Sequence, residues 1–212
     1  MNNLDFIYKR KSVRKFKNKE VPKEHIDEIL KAATYAPSAV NRQNWHFVVI
    51  RDKEKIEKIA ECIATKGNEY LNKLDRDDMK IGLKRLIPYM SFFKDAPVLI
   101  IVYAKYYEND EYNMLKYLGE DEEKLQKSLF PMSHIQNVSA AMENLLLAAS
   151  NLGYGTCWMT GPLFAMEEVE KLINFKKEGY EIMAMTPLGV SADNVKIIQP
   201  RRKSLEEVVT YL

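Results

Sequence analysis

The run Val98-Leu99-Ile100-Ile101-Val102-Tyr103, introduced by Pro97, constrains the fold of this chain more than any other stretch. It shows no apolar and polar alternation, so as a strand it must be covered on both faces. That places it in the middle of a sheet with helices on either side. Other strand signals are few. Trp45 to Ile50 is short, apolar and β-branched; Thr156 to Met159 leads into the turn Thr160-Gly161-Pro162; Tyr180 to Leu188 closes at Gly189.

Helix signals fill the rest. Pro22 followed by Ile26, Ile29, Leu30 and Ala33 gives an amphipathic helix with proline at its first turn, stopping near Ala36-Pro37. Asp52 is placed to cap a helix carrying Ile56, Ile59, Ala60 and Ile63. Residues 66 to 94 read as irregular helix, with Tyr70, Leu71, Leu83, Leu86 and Ile87 turned inward. Ile135, Val138, Met142, Leu145, Leu146, Ala149 and Leu152 make a long apolar face, and Gly153 ends it. A short helix follows from Met166 to Ile173, and Ser204-Leu205-Glu206-Glu207 fits a capping box opening a last helix or tail. The expectation is one α+β domain over 1-212, more helix than strand, with a mixed or antiparallel central sheet. An acidic, Tyr-rich helical insert is expected at about 105-130.

Composition narrows the function classes. The 212 residues carry 32 Lys plus Arg against 30 Asp plus Glu, too even a balance to imply a nucleic-acid or membrane-surface partner. At 46% hydrophobic residues the chain can bury a core. Cys62 and Cys157 have no CxxC spacing, which gives neither a disulfide framework nor a zinc site and suits a reducing cytoplasm. The first residues lack the apolar stretch of a signal peptide. Asn144 to Met166 is free of ionisable charge and long enough to span a bilayer, but Asn151, Gly153, Gly155, Gly161 and Pro162 break it into a buried helix, turn and strand.

No phosphate-loop, dinucleotide-fold, nucleophile-elbow or zincin motif is present. His25, His46 and His134 are far apart among helix and strand residues and read as structural. Any redox or group-transfer chemistry then belongs to a cofactor. Four stretches could hold one. In extended backbone Arg10, Ser12 and Arg14 share a face while Val13 turns to the core, which makes either an anion cradle, a solvated basic terminus or a nucleic-acid arm. Aromatic interleaving, which a nucleic-acid site would use, is missing. The loop from Pro37 to Trp45 places Ser38, Asn41, Gln43 and Asn44 beside an aromatic, which suits a planar heteroaromatic ligand or a plain turn. Trp158 to Leu163 contains Gly161, which permits close backbone approach, and Arg201-Arg202-Lys203 is a basic triplet before the capping box.

Taken together these stretches resemble the FMN-dependent nitroreductase family. The opening pattern appears as Arg10-Lys11-Ser12-Val13-Arg14-Lys15-Phe16, and the loop pattern as Pro37-Ser38-Ala39-Val40-Asn41-Arg42-Gln43-Asn44-Trp45. Ala96-Pro97-Val98, Asn144 through Gly155, and Arg202-Lys203-Ser204 follow in the family's order. The resemblance implies an intertwined homodimer with two FMN sites at its interface. It implies that Arg10, Lys11, Ser12 and Arg14 hold the phosphate, ribityl chain and pyrimidine edge, with Arg202 closing on the phosphate. Pro37, Ser38 and Ala39 would reach the flavin from the partner chain, and Asn41 would also bind the cofactor. Met159, Thr160 and Gly161 would lie beside N5, and Arg14 near N1 and O2. The implied reaction is ping-pong reduction of a nitroaromatic, quinone or similar electron-poor small molecule by NADH or NADPH.

Two departures bear on that reading. A proline is frequent before the loop tryptophan, and Asn44 stands there, which predicts a less rigid loop. The family's dehalogenating relatives of the iodotyrosine deiodinase type grip an amino-acid zwitterion with Glu, Tyr and Lys, and 66 to 94 contains Glu69, Tyr70 and Lys73. Those relatives also place a threonine hydroxyl by N5; Thr160 carries one and Gly161 does not. Flavin-cleaving relatives that make the cobalamin lower ligand have no distinctive residue in their favour. A non-catalytic flavin-binding module is the reading from outside the enzymes.

Overall fold

The computed structural model describes residues 4-129, 132-193 and 201-212. Its elements run α1 (Asp5–Lys9), α2 (Lys23–Thr34), β1 (Trp45–Ile50), α3 (Lys53–Lys73), α4 (Asp77–Ser91), β2 (Val98–Lys105), α5 (Asp110–Tyr117), α6 (Glu122–Leu129), α7 (Ser133–Asn151), β3 (Gly155–Thr156), α8 (Met166–Ile173) and β4 (Tyr180–Gly189). The four strands form one antiparallel sheet in the order β1-β2-β4-β3. The unalternated run does sit inside it: β2 pairs with β1 through Val48 and Ile101, and with β4 through Ile100 and Thr186.

The pleat of β2 divides the core in two. Val98, Ile100, Val102 and Ala104 face one layer, where they pack with α2 and α7. Leu99, Ile101 and Tyr103 face the other, against α3, α4 and α8. Each fully buried aliphatic side chain here contributes about 1.5–3 kcal/mol, so this strand alone makes a large apolar contribution to the fold. Asp52 caps α3 by accepting from the Lys55 N–H at 3.0 Å, as its position suggests.

Several details differ from the sequence expectations. The stretch from 66 to 94 holds the end of α3 and a separate α4, and only Ile87 of the five inward candidates is buried. Leu71 and Leu83 are half-buried, while Tyr70 and Leu86 are exposed, because an apolar side chain on a helix with one covered face has no second layer to enter. The sheet takes the antiparallel form of the two expected, with a single parallel bridge between Ser12 and Thr156 beside it. Strand β3 is two residues long, and Met159 pairs alone with Met185. At the C-terminal end the Glu207 carboxylate accepts from the Ser204 N–H at 3.0 Å, one half of the capping box, yet only a turn follows. Two short helices, α5 and α6, occupy the acidic segment. No helix among the described residues is long and apolar enough to cross a membrane.

Candidate active site

The N-terminal basic segment is held by the sheet edge. The Val13 N–H donates to the Thr156 carbonyl at 2.8 Å, and the Lys17 N–H donates to that of Val190 at 2.8 Å. Val13 and Phe16 are buried against Ala96 and half-buried Phe92. Gly155 makes this possible, since a Cβ there would lie 2.5 Å from a Val13 methyl. Alternation then turns Arg10, Ser12 and Arg14 the other way.

All three side chains act on the Cys157 thiol. Burial pushes the Cys157 thiol up, while Arg14, a hydrogen bond with Ser12 and Arg10 each pull it down. Arg14 has no ion-pair partner among the described residues, and its Cζ stands 6.0 Å from the Phe92 ring centre. Arg10 is half-buried, with Nε 3.7 Å from Glu143 on α7. Lys11 is exposed. A guanidinium without a described counter-charge, a second one loosely held, and a hydroxyl are the donor types that an anion takes.

The turn after Cys157 continues the site. Met159 is buried and exchanges both backbone hydrogen bonds with Met185 at 2.9 Å, which fixes the exposed Thr160 and Gly161 that follow. Met90, near the end of α4, lies under Gly161, where a Cβ would meet its Cγ at 2.9 Å. The chain thus brings Arg10, Ser12 and Arg14 to within a few residues of Met159, Thr160 and Gly161.

The loop at 37-44 forms a separate cluster. Pro37 and Ala39 are exposed, and Val40, Asn41 and Gln43 have φ of 52°, 53° and 45°, a conformation uncommon for residues other than glycine. Ser38 Oγ accepts from the Gln43 N–H at 3.1 Å, and Asn137 Oδ1 accepts from the Ala39 N–H at 2.9 Å. Asn44 is buried and donates to the carbonyls of Lys105 and His134 at 2.9 and 3.0 Å. The looser loop expected from the missing proline is therefore corrected: the Asn44 carboxamide ties it down with bonds a proline ring does not offer. No described contact joins this loop to Arg10 or Arg14. Both clusters nevertheless lean on α7, where Asn137 and Glu143 are separated by about 9 Å of helix rise.

Other expected residues disperse. Arg202 is exposed on the C-terminal tail, and no described contact places it against the cradle. Glu69 and Tyr70 meet Lys66, at 3.8 Å and 5.5 Å, instead of Lys73. The histidines serve packing. His25 Nδ1 lies 2.6 Å from the Tyr154 hydroxyl, His46 stacks on Phe175 at 5.5 Å, and His134 meets Tyr106 edge-on at 4.9 Å. Among the described residues no group of three or more His, Cys, Asp or Glu is placed to hold a metal. Sequence reasoning read Cys157 as a small buried thiol or spectator, buried as it is here, and passed over Met90 and Asn137. Of these only Asn137 carried a signal, a polar residue one turn from Ala141 on the buried face of an apolar helix.

The model of the Nitroreductase family matches residues 7–190. A curated relative named "Putative NADH dehydrogenase/NAD(P)H nitroreductase", from Methanothermobacter thermautotrophicus, is 33% identical over 98% of this chain and 88% of its own length. The crystal structure of a BluB-like flavoprotein from Clostridium difficile 630 superposes with a TM-score of 0.92 at 39% identity, covering 100% of this chain and 99% of the other. That of oxidized iodotyrosine deiodinase bound to FMN and 3-iodo-L-tyrosine gives 0.71 at 26% identity, covering 98% of each.

Proposed function

The chain belongs to the Nitroreductase family, and on that premise we propose that it is a dimeric FMN-dependent oxidoreductase, taking hydride from NADH or NADPH and reducing electron-poor acceptors such as nitroaromatics and quinones. One observation carries this reading: with Val13 buried and bonded to Thr156, Ser12, Arg10 and Arg14 are held on the other face of a segment bridged to the strand that runs into the exposed turn at Thr160 and Gly161. That donor set fits a phosphate dianion, and the turn beside it exposes the backbone of Thr160 and Gly161, with Met90 packed beneath.

In this reading Arg10, Lys11, Ser12 and Arg14 hold the phosphate, ribityl chain and pyrimidine edge, with Arg202 closing on the phosphate. Met159 anchors Thr160 and Gly161 so that their backbone stays fixed against the isoalloxazine. FMN, when bound, supplies the two-electron hydride chemistry. Arg14 contributes a fixed positive charge that favours added negative charge on the pyrimidine side, and a preset charge of this kind costs no reorganisation during the reaction. No side-chain nucleophile or general base is assigned.

The second chain contributes Pro37, Ser38, Ala39 and Asn41. Supporting a dimer, a groove of about 490 Å³ lies open between α2 and α7, lined by Phe6, Ala32, Tyr35, Leu147 and Ala148 together with Asn144 and Asn151. The C-terminal tail also exposes Leu205, Val208 and Tyr211, apolar surface of the kind a partner covers. The deiodinase-like reading is the rival, since one similar structure holds FMN and 3-iodo-L-tyrosine. Glu69 and Tyr70 group with Lys66, which supplies the three residue types of that reading, although the Lys66 ammonium is paired with Glu168 at 2.7 Å.

The test is purification followed by denaturation. One FMN per chain, and dithionite-dependent reduction of a nitroaromatic in preference to 3-iodotyrosine, is the expected result. Protein that cannot be reconstituted with FMN refutes the proposal, and preferential deiodination transfers it to the rival.

A further inference from the structure

Asn137 is buried in α7, and its carboxamide is used at every donor it has. Oδ1 accepts from the Ala39 N–H at 2.9 Å, and Nδ2 donates to Asn44 Oδ1 at 2.9 Å and to the Tyr107 hydroxyl at 3.0 Å. The orientation of the whole chain of amides is determined by groups that cannot reverse. The carbonyls of Lys105 and His134 can only accept, so Asn44 must present Nδ2 to them and its oxygen to Asn137. The Ala39 N–H can only donate, so Asn137 must present its oxygen there. Only the Tyr107 hydroxyl is free to turn.

This network joins two segments that are otherwise distant in sequence. On one side is the loop at 38-43, whose three left-handed residues persist only because the surroundings hold them. On the other is the acidic segment that leaves β2 at Tyr106 and carries α5 and α6, called the flap below. A second tie runs beside the first, with Arg42 stacked 4.4 Å from the Tyr107 ring centre and Nη2 3.4 Å from Asp110.

We propose that Asn137 is a positioning residue that sets the loop meeting the flavin and couples it to the flap at 105-129, so that one carboxamide adjusts both cofactor retention and acceptor entry. The proposal rests on the FMN reading of the site. Asn137 acts through Ala39 on one branch and Tyr107 on the other. Buried polar networks of this kind are sensitive, because removing one member strands the partners of the others.

Three variants separate the branches. Ala39→Pro deletes the loop N–H, the extended backbone of Ser38, with φ −143° and ψ 145°, accepts a following proline, and Ala39→Gly, which keeps the N–H, is the control for loss of the side chain itself. Ala39→Pro is expected to raise the FMN Kd about tenfold and leave the acceptor KM within about twofold. Tyr107→Phe is expected to do the reverse, raising acceptor KM several-fold with the FMN Kd unchanged. Asn137→Ala should show both changes, each at least as large as in the single-branch variant, while kcat falls less than KM rises. Circular dichroism and thermal melting report whether each variant is folded. A folded Asn137→Ala protein with unchanged FMN Kd and acceptor KM overturns the proposal, as do silent Ala39→Pro and Tyr107→Phe variants if Asn137→Ala does not fold. Changes that follow the loss of melting temperature alone, without the split between the branches, also overturn it. Wild-type protein that binds no FMN refutes the cofactor reading itself, and the coupling with it.

Discussion

Gly155→Ala strikes at the link between fold and site. An added Cβ would lie 2.5, 2.6 and 2.7 Å from Cγ2, Cβ and Cγ1 of Val13. Carbon atoms rest no closer than about 3.5 Å, so the two backbones must part by about 1 Å. Turning the Val13 side chain does not relieve the clash, because its own Cβ is one of the three atoms and is fixed to the backbone. A separation of that size stretches the 2.8 Å bond from the Val13 N–H to Thr156 beyond hydrogen-bonding range. Overpacking of this type costs about 1–3 kcal/mol. At roughly 2–4 °C per kcal/mol for a chain of this size, the melting temperature should fall by about 2–12 °C. Ser12 and Arg14 flank Val13 and move with it. Losing one charge-assisted contact to a phosphate, about 1.5–3 kcal/mol, corresponds to about a 10- to 150-fold rise in FMN Kd. Thermal melting of the apoprotein and quenching of FMN fluorescence measure the two effects. A variant that melts within about 1 °C of wild type and binds FMN with unchanged affinity would refute the clash argument and the placement of the cradle on this strand.

Further predictions address other parts of the account. Arg14→Ala should weaken FMN binding about tenfold or more, and Arg202→Ala should weaken it too, measured by equilibrium dialysis; unchanged affinity in both removes those assignments. Leu147→Glu places a charge in the groove between α2 and α7, and should yield monomer by sedimentation that retains little FMN; an intact dimer would locate the interface elsewhere. Burial, then Lys177, lowers the His46 pKa, and burial lowers that of His134 against an opposing Glu181. Both therefore favour the neutral ring in the fold, so their contribution to stability is present above the unfolded value of about 6.5 and is lost as pH falls through it. Melting temperature should decline between pH 7.5 and 5.5, and His46→Phe should flatten that slope; a slope unchanged by the substitution would assign it to other groups.

Much of the layered core was legible because it follows from periodicity alone. The unbroken apolar run at Val98 to Tyr103 required cover on two faces, and the three-and-four spacing of α2 and α7 supplied one of them. The exposed positions of Tyr70 and Leu86 were not legible, since apolar content on a helix does not say how many neighbours the helix has. For the site, alternation along Arg10, Ser12 and Arg14 gave their common face, but not Cys157 beneath them, which arrives from the other end of the chain. Asn44 was misread for a related reason. Its effect on the loop depends on two carbonyls and on Asn137, all at least 60 positions away, and local sequence only registers the proline that is missing. Arg202 reads as part of a motif, yet within one chain nothing described brings it to the cradle.

The central claim is that this fold holds a flavin which a nicotinamide reduces. Anaerobic titration of the FMN-loaded protein with NADH and with NADPH, followed at the long-wavelength flavin absorbance band, tests it most directly. The account predicts full bleaching at about one equivalent of one or both donors per FMN, with recovery of the band on adding a nitroaromatic or quinone. A loaded protein whose band neither donor bleaches would contradict it.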